Sequence, residues 1–188
     1  TDGCAVMSML VQGLRSQRLW IDRRQSNALD GGAHWYDCYR CADGEWISVG
    51  ALEPQFYQLL LQKCGLGGQG FEQAQFDFAN WPALKERFAA VFRQRTRAEW
   101  CELLEGTDVC FAPVLSFAEA QQHPHNRARN AYIEVDGVTQ PAPAPRFSAT
   151  PGEVRSPPAG IGGDTNALLE AVGYSADEIA TLTDAGVV

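Results

Sequence analysis

The chain has 188 residues, of which 45% are hydrophobic, 10% aromatic and 20% charged, with a formal net charge of −8. This is the make-up of a globular protein with one large core or two small ones, and it excludes a disordered or collagen-like chain. The acidic excess argues against a nucleic-acid surface, which needs cations to displace counterions from phosphates. No apolar run approaches the roughly 20 residues of a membrane span. Thirteen of the fifteen basic residues are Arg, the others being Lys63 and Lys85, and an acidic average leaves room for a local basic pocket.

In chain order, Val6, Met7, Met9, Leu10, Val11 and Leu14 recur on one side of a helix predicted over 2–15. Gly31-Gly32 breaks the chain. Two β-forming runs, His34–Cys41 and Glu45–Gly50, flank Ala42-Asp43-Gly44 and predict a hairpin. Pro54 suits the first position of a helix carrying Phe56, Leu59 and Leu60 and stopped at Gly65, which leaves Glu53 as its N-cap. Residues 66–79 are rich in Gly and Gln and read as a loop. Trp81-Pro82 opens a helix with Leu84, Phe88, Val91 and Phe92 on one stripe, and Thr96-Arg-Ala-Glu99 has the form of a capping box before Trp100.

Val109 to Leu115 is a short apolar run interrupted by Pro113, which predicts an edge strand. Ser116-Phe-Ala-Glu119 matches a second capping box before a short helix ended by Pro124. Tyr132–Val135 and Asp136-Gly137 predict a strand and a turn. Six of the ten prolines lie between Gln140 and Pro158, as expected of an extended connector, and two short helices follow over 164–172 and 175–183. The layout is α+β, with divisions at 1–25, 26–138 and 139–188.

The six cysteines are expected to be reduced and mostly buried, because a chain of this size can bury a core without staples. Cys38-Tyr-Arg-Cys41 has the spacing of half a zinc site, but no second ligand pair follows at finger spacing, and no metal is expected. His123 and His125 straddle Pro124 in a polar loop and suit capping or surface roles, and His34 is expected to be structural. Glu53 stands out as a carboxylate between a strand and a Pro-started helix, where an α+β fold commonly carries site residues. The alternative is a plain N-cap. Leu29, Trp35, Tyr36 and Trp46 could form a core cluster or a hydrophobic acyl wall.

Several segments resemble the α-methylacyl-CoA racemases of the family III CoA-transferase superfamily. These are Leu29-Asp-Gly-Gly-Ala33, Tyr36, Ala42-Asp-Gly-Glu45, Val49-Gly-Ala-Leu-Glu-Pro-Gln-Phe-Tyr57, Asp108-Val-Cys-Phe-Ala-Pro-Val-Leu115, His123-Pro-His-Asn-Arg127 and Pro143-Ala-Pro-Arg-Phe147. The resemblance runs in order along the whole chain and implies the C-terminal half of such an enzyme, of which this chain is a fragment or processed product. It comprises a linking helix (1–25), the small α+β domain (26–138), and a connector with a helical tail returning to a large domain (139–188).

The implied activity inverts the α-carbon of a 2-methylacyl-CoA thioester by deprotonation and reprotonation. The resemblance makes Glu53 the partner of a catalytic histidine, with Leu29, Tyr36 and Leu52 lining the acyl chain. The histidine and an opposed aspartate lie in the large domain, and Asp2 matches a later helix rather than that aspartate. An interlocked homodimer, an acyl-CoA substrate, no separate cofactor and no membrane are further implications. The arginine bias and lack of a presequence suggest the cytoplasm. His34-Trp35 departs from the Pro-aromatic pair usual in the family, which bears on acyl preference. A family III CoA-transferase, and a non-catalytic folding or dimerisation module, are the alternatives.

Overall fold

A computed structural model describes all 188 residues, which divide by their contacts into Thr1–Ser116 and Phe117–Val188. The first unit opens with α1 (Asp2–Met7) and α2 (Met9–Ser16), separated at Ser8, so the single predicted helix is two. Neither helix buries a residue, and Val6, Met7, Met9 and Leu10 are exposed.

The hairpin forms as its turn residues require. Strands β1 (Tyr36–Arg40) and β2 (Trp46–Gly50) pair antiparallel, with Tyr36 opposite Gly50 and Cys38 opposite Ser48. Gly44 takes φ 89°, the left-handed turn position that glycine fills without a Cβ clash, and Asp43 Oδ1 accepts the Glu45 N–H. The third strand, β3 (Phe111–Val114), lies at the edge beside β2. An edge position tolerates Pro113, which stands opposite Ile47 and has no N–H to give.

Three helices cover the inner face of this sheet: α3 (Pro54–Lys63), α4 (Trp81–Phe92) and α5 (Arg97–Leu104). Tyr39, Ile47 and Val49 from the sheet share one core with Tyr57, Leu60 and Leu61 of α3, Leu84, Phe88 and Phe92 of α4, and Trp100 and Leu104 of α5. The stripe at four-residue spacing on α4 becomes an aromatic stack: Phe88 meets His34, Phe71 and Phe92 edge-on at centroid distances of 5.1 to 6.0 Å. Thr96 and Glu99 complete the reciprocal capping box of α5.

The second unit contains α6 (Phe117–Gln122) and α7 (Pro124–Ala128), so Pro124 starts a helix as well as closing one. A hairpin of β4 (Tyr132–Val135) and β5 (Val138–Pro141) turns on Asp136 and Gly137, both at positive φ as a two-residue turn demands. After a stretch with no regular elements come α8 (Thr165–Ala171) and α9 (Ala176–Asp184), the latter closed by a Ser175–Glu178 capping box. No helix is long and apolar enough to cross a membrane.

All six cysteines are free, but the expectation that most are buried is corrected. Only Cys41 is buried, Cys64 and Cys101 are half-buried, and Cys4, Cys38 and Cys110 are exposed. Cys38 lies on the outer face of the hairpin because its strand position alternates with buried Tyr39. No cluster of three or more His, Cys, Asp or Glu side chains is placed to hold a metal.

Candidate functional site

The outer face of the three-stranded sheet carries small side chains. Gly50 follows Ser48 along β2, with Cys38 and Ala112 flanking Ser48 on the two neighbouring strands. With Tyr36, Asp30-Gly31, Asp37, Cys110 and Phe111 they enclose an open groove of about 550 Å³. The Tyr36 ring lines it beside Gly50. An ideal Cβ at Gly50 would touch that ring at 3.5 Å and the Cys110 carbonyl at 3.9 Å.

One wall comes from the loop before β1. The carboxylate of Asp30 accepts the backbone N–H groups of Asn27 (2.7 Å) and Gly32 (3.1 Å) and the side-chain amide of Asn27 (2.7 Å). Burial opposes the charge of Asp30, but these donors outweigh it and hold the carboxyl below its ordinary range. Asn27, itself buried, exchanges two further hydrogen bonds with the backbone of Ile21. The Lys85 ammonium donates to the Gly31 carbonyl and pairs with Asp37. The loop that carries Leu29 is therefore fixed from both ends.

The opposite wall leads into the segment Gly50-Ala51-Leu52-Glu53. The Ala51 N–H donates to the Trp35 carbonyl at 3.0 Å, and the Leu52 N–H to the Gly50 carbonyl at 2.8 Å. Glu53 is the N-cap of α3 in extended geometry (φ −72°, ψ 138°), and its carbonyl accepts the Tyr57 N–H at 3.0 Å. Its carboxylate, however, caps none of the first-turn N–H groups. Pro54 at the first helical position removes one of those donors. The exposed carboxylate therefore stands at the positive end of a helix with no commitment to that helix. It is close enough to Cys110, in the groove wall, to act on its thiol: burial first, then the charges of Glu53 and Asp108, push that thiol's pKa up.

Of the sequence-predicted site residues, Tyr36 lies in the groove wall itself. Leu29 adjoins the wall residue Asp30, and Leu52 and Glu53 follow the wall residue Gly50. Leu29, Tyr36 and Leu52 are 40%, 38% and 37% exposed. Trp35 is not part of an exposed wall. It is fully buried, with its indole N–H donated to the Gln75 carbonyl at 2.8 Å. His34 is buried beside it, so the unusual His34-Trp35 pair faces the core and not the groove. His123 is the N-cap of α7 but its side chain makes no capping bond, and His125 is exposed.

Sequence reasoning missed the Asn27–Asp30 clasp and the Lys85–Asp37 pair. The first had a signal, Asn and Asp three apart before Gly-Gly, of the kind that builds Asx turns. The second had none beyond the rarity of lysine in this chain.

The sequence pattern of CoA-transferase family III matches residues 4–165. The chain is 42% identical over 186 residues to the mouse alpha-methylacyl-CoA racemase and 41% identical over 181 residues to the human one. These alignments cover 96% and 95% of this chain but 48% and 47% of the relatives, so it spans about half the length of the curated proteins it matches. A CaiB/baiF CoA-transferase family protein of Caenorhabditis elegans is 29% identical over 147 residues, 78% of this chain and 41% of that protein. Among solved structures, a crystal structure of Rv3272 from Mycobacterium tuberculosis superposes with a TM-score of 0.60 at 21% identity, over 72% of this chain and 40% of that one. At that identity the likeness speaks for the fold alone.

Proposed function

Because the chain belongs to CoA-transferase family III, we propose that its 188 residues are the small-domain half of an α-methylacyl-CoA racemase-type isomerase. The observation that carries the reading is the exposed Glu53 carboxylate, which makes no bond to its own helix cap and whose charge acts on the Cys110 thiol in the groove wall. A carboxylate used only as a cap would accept the N–H of the second or third residue of α3.

In the reaction, the α C–H bond of a 2-methylacyl-CoA breaks, its proton passes to a base, and the electron pair enters the thioester enolate. A new C–H bond forms from an acid on the opposite face. A histidine and an aspartate from the rest of the polypeptide supply base and acid. Glu53 accepts a hydrogen bond from that histidine and stabilises its imidazolium form. Leu29, Tyr36 and Leu52 line the acyl chain and exclude water, which strengthens the charge interactions around the enolate.

On this reading residues 1–25 link to a large domain, 26–138 are the small domain, and 139–188 return to the large one. The full-length enzyme is a homodimer of interlocked subunits in the cytoplasm, acts in lipid metabolism, and needs no cofactor beyond the CoA of its substrate. The alternative, transfer of CoA between carboxylates, is less favoured by identities of 41–42% to proteins named as racemases.

The test is α-proton exchange with a 2-methylacyl-CoA in deuterated water. The full-length protein is expected to exchange, and the 188-residue chain alone is expected to show no exchange above buffer. Exchange by the short chain would place the catalytic groups elsewhere. CoA transfer to an added carboxylate without exchange would replace the isomerase reading by the transferase one.

A further inference from the structure

Gln75 lies in the Gly- and Gln-rich stretch after α3, which as sequence reads as an undistinguished loop, yet it is almost completely buried. Its backbone carbonyl accepts two indole N–H groups, Trp35 Nε1 and Trp81 Nε1, each at 2.8 Å. Its side-chain Nε2 donates to the Leu52 carbonyl at 2.8 Å and reaches the Ala51 carbonyl at 3.4 Å. Both neighbours are acceptors, so only the amide nitrogen fits there, and a carboxylate or an apolar side chain would leave them unpaired. The circuit closes through the Trp35 carbonyl, which takes the Ala51 N–H.

The two carbonyls that Gln75 holds belong to the residues immediately before Glu53. The orientation of the Leu52–Glu53 peptide sets where the Leu52 side chain and the Glu53 carboxylate point, and no bond from the Glu53 side chain to its own helix does so. We propose that Gln75 is the positioning residue for Glu53, fixing from the core the carboxylate that the proposed reaction uses at the surface. This rests on the isomerase reading above. A residue that places a charged group against a developing imidazolium acts on turnover more than on binding, because a small displacement weakens an interaction that counts in the transition state.

The experiment is a double-mutant cycle in the full-length enzyme, with α-proton exchange as the readout. Gln75→Met is expected to lower kcat by about tenfold with KM within about twofold. In a Glu53→Gln background the same substitution is expected to lower kcat by less than about twofold, because the group it positions is already neutral. Equal losses in both backgrounds, or a loss confined to KM, would overturn the proposal. Gln75→Glu covers the case in which the Met variant does not fold. Its protonated carboxyl can donate one O–H to the Leu52 carbonyl and its ionised form none, so its activity relative to wild type should rise as pH falls. A ratio independent of pH would also overturn the proposal. Wild-type enzyme without exchange would be the failure of the isomerase reading itself, and is seen in the control arm.

Discussion

The ring of Tyr36 lies against the backbone of Gly50, its register partner across the hairpin, at a distance where an added Cβ would make ordinary van der Waals contact of 3.5 Å. Gly32 is different: a Cβ there would meet the Asn27 N and O at 2.6 Å and the Ser26 carbonyl carbon at 2.7 Å. These are backbone atoms and cannot rotate away. Gly50→Ala is therefore expected to change stability by less than about 0.5 kcal/mol, whereas Gly32→Ala should cost more than about 2 kcal/mol. Urea midpoints of the two variants check this, and equal effects would refute the close approach at Gly32.

His34 titrates against folding. Tyr57 donates its hydroxyl hydrogen to the Phe71 carbonyl at 3.2 Å, which leaves its oxygen to accept the His34 Nε2–H at 2.6 Å. Nδ1 is buried without a partner. Burial first, and then the Lys85 charge, lower the pKa to about 4 from an ordinary 6.5. The unfolded chain then takes up the proton before the folded one does, so stability is full above pH 6.5, falls as pH drops toward 4, and loses nothing more below it. The loss amounts to at most about 3 kcal/mol. His34→Gln keeps a donor for Tyr57 and cannot ionise, so its urea midpoint should fall less than the wild type's between pH 7 and pH 4.5. Parallel profiles would show that His34 is not the titrating group.

Lys85 connects two of these features through its bonds to Asp37 and the Gly31 carbonyl. Lys85→Met leaves a half-buried carboxylate and a loop carbonyl without their cation, at an expected cost of about 1–2 kcal/mol. It should also raise the His34 pKa, because the Lys85 charge is one of the two causes lowering it. NMR titration of the His34 ring reads that shift directly, and an unchanged pKa would leave burial as the sole cause.

Local chemistry made much of this legible. Asp43-Gly44 forces the hairpin, Thr96 and Glu99 close α5, and Pro54 sets Glu53 at the strand–helix junction where the structure has it. Strand alternation could not place Trp35, because it lies in the turn closed by the Tyr36 N–H on the Ala33 carbonyl, just before β1 begins. β5 was missed because Val138-Thr-Gln-Pro141 carries one large apolar side chain, although the Asp136-Gly137 turn before it called for a returning strand. Gln75 left no trace in the sequence. Its partners are 23 and 24 residues away for its amide and 40 for the Trp35 indole, and no periodicity encodes such a meeting.

The most direct test of the account is Glu53→Gln in the full-length enzyme, with turnover and thermal stability measured on the same preparation. The carboxylate makes no capping bond, so removing its charge should leave Tm nearly unchanged. The same substitution should lower the rate of α-proton exchange by about 10- to 1000-fold, the upper figure being about 4 kcal/mol of transition-state stabilisation. A Glu53→Gln enzyme with wild-type exchange and a lowered Tm would contradict the account, and would make Glu53 a structural cap after all.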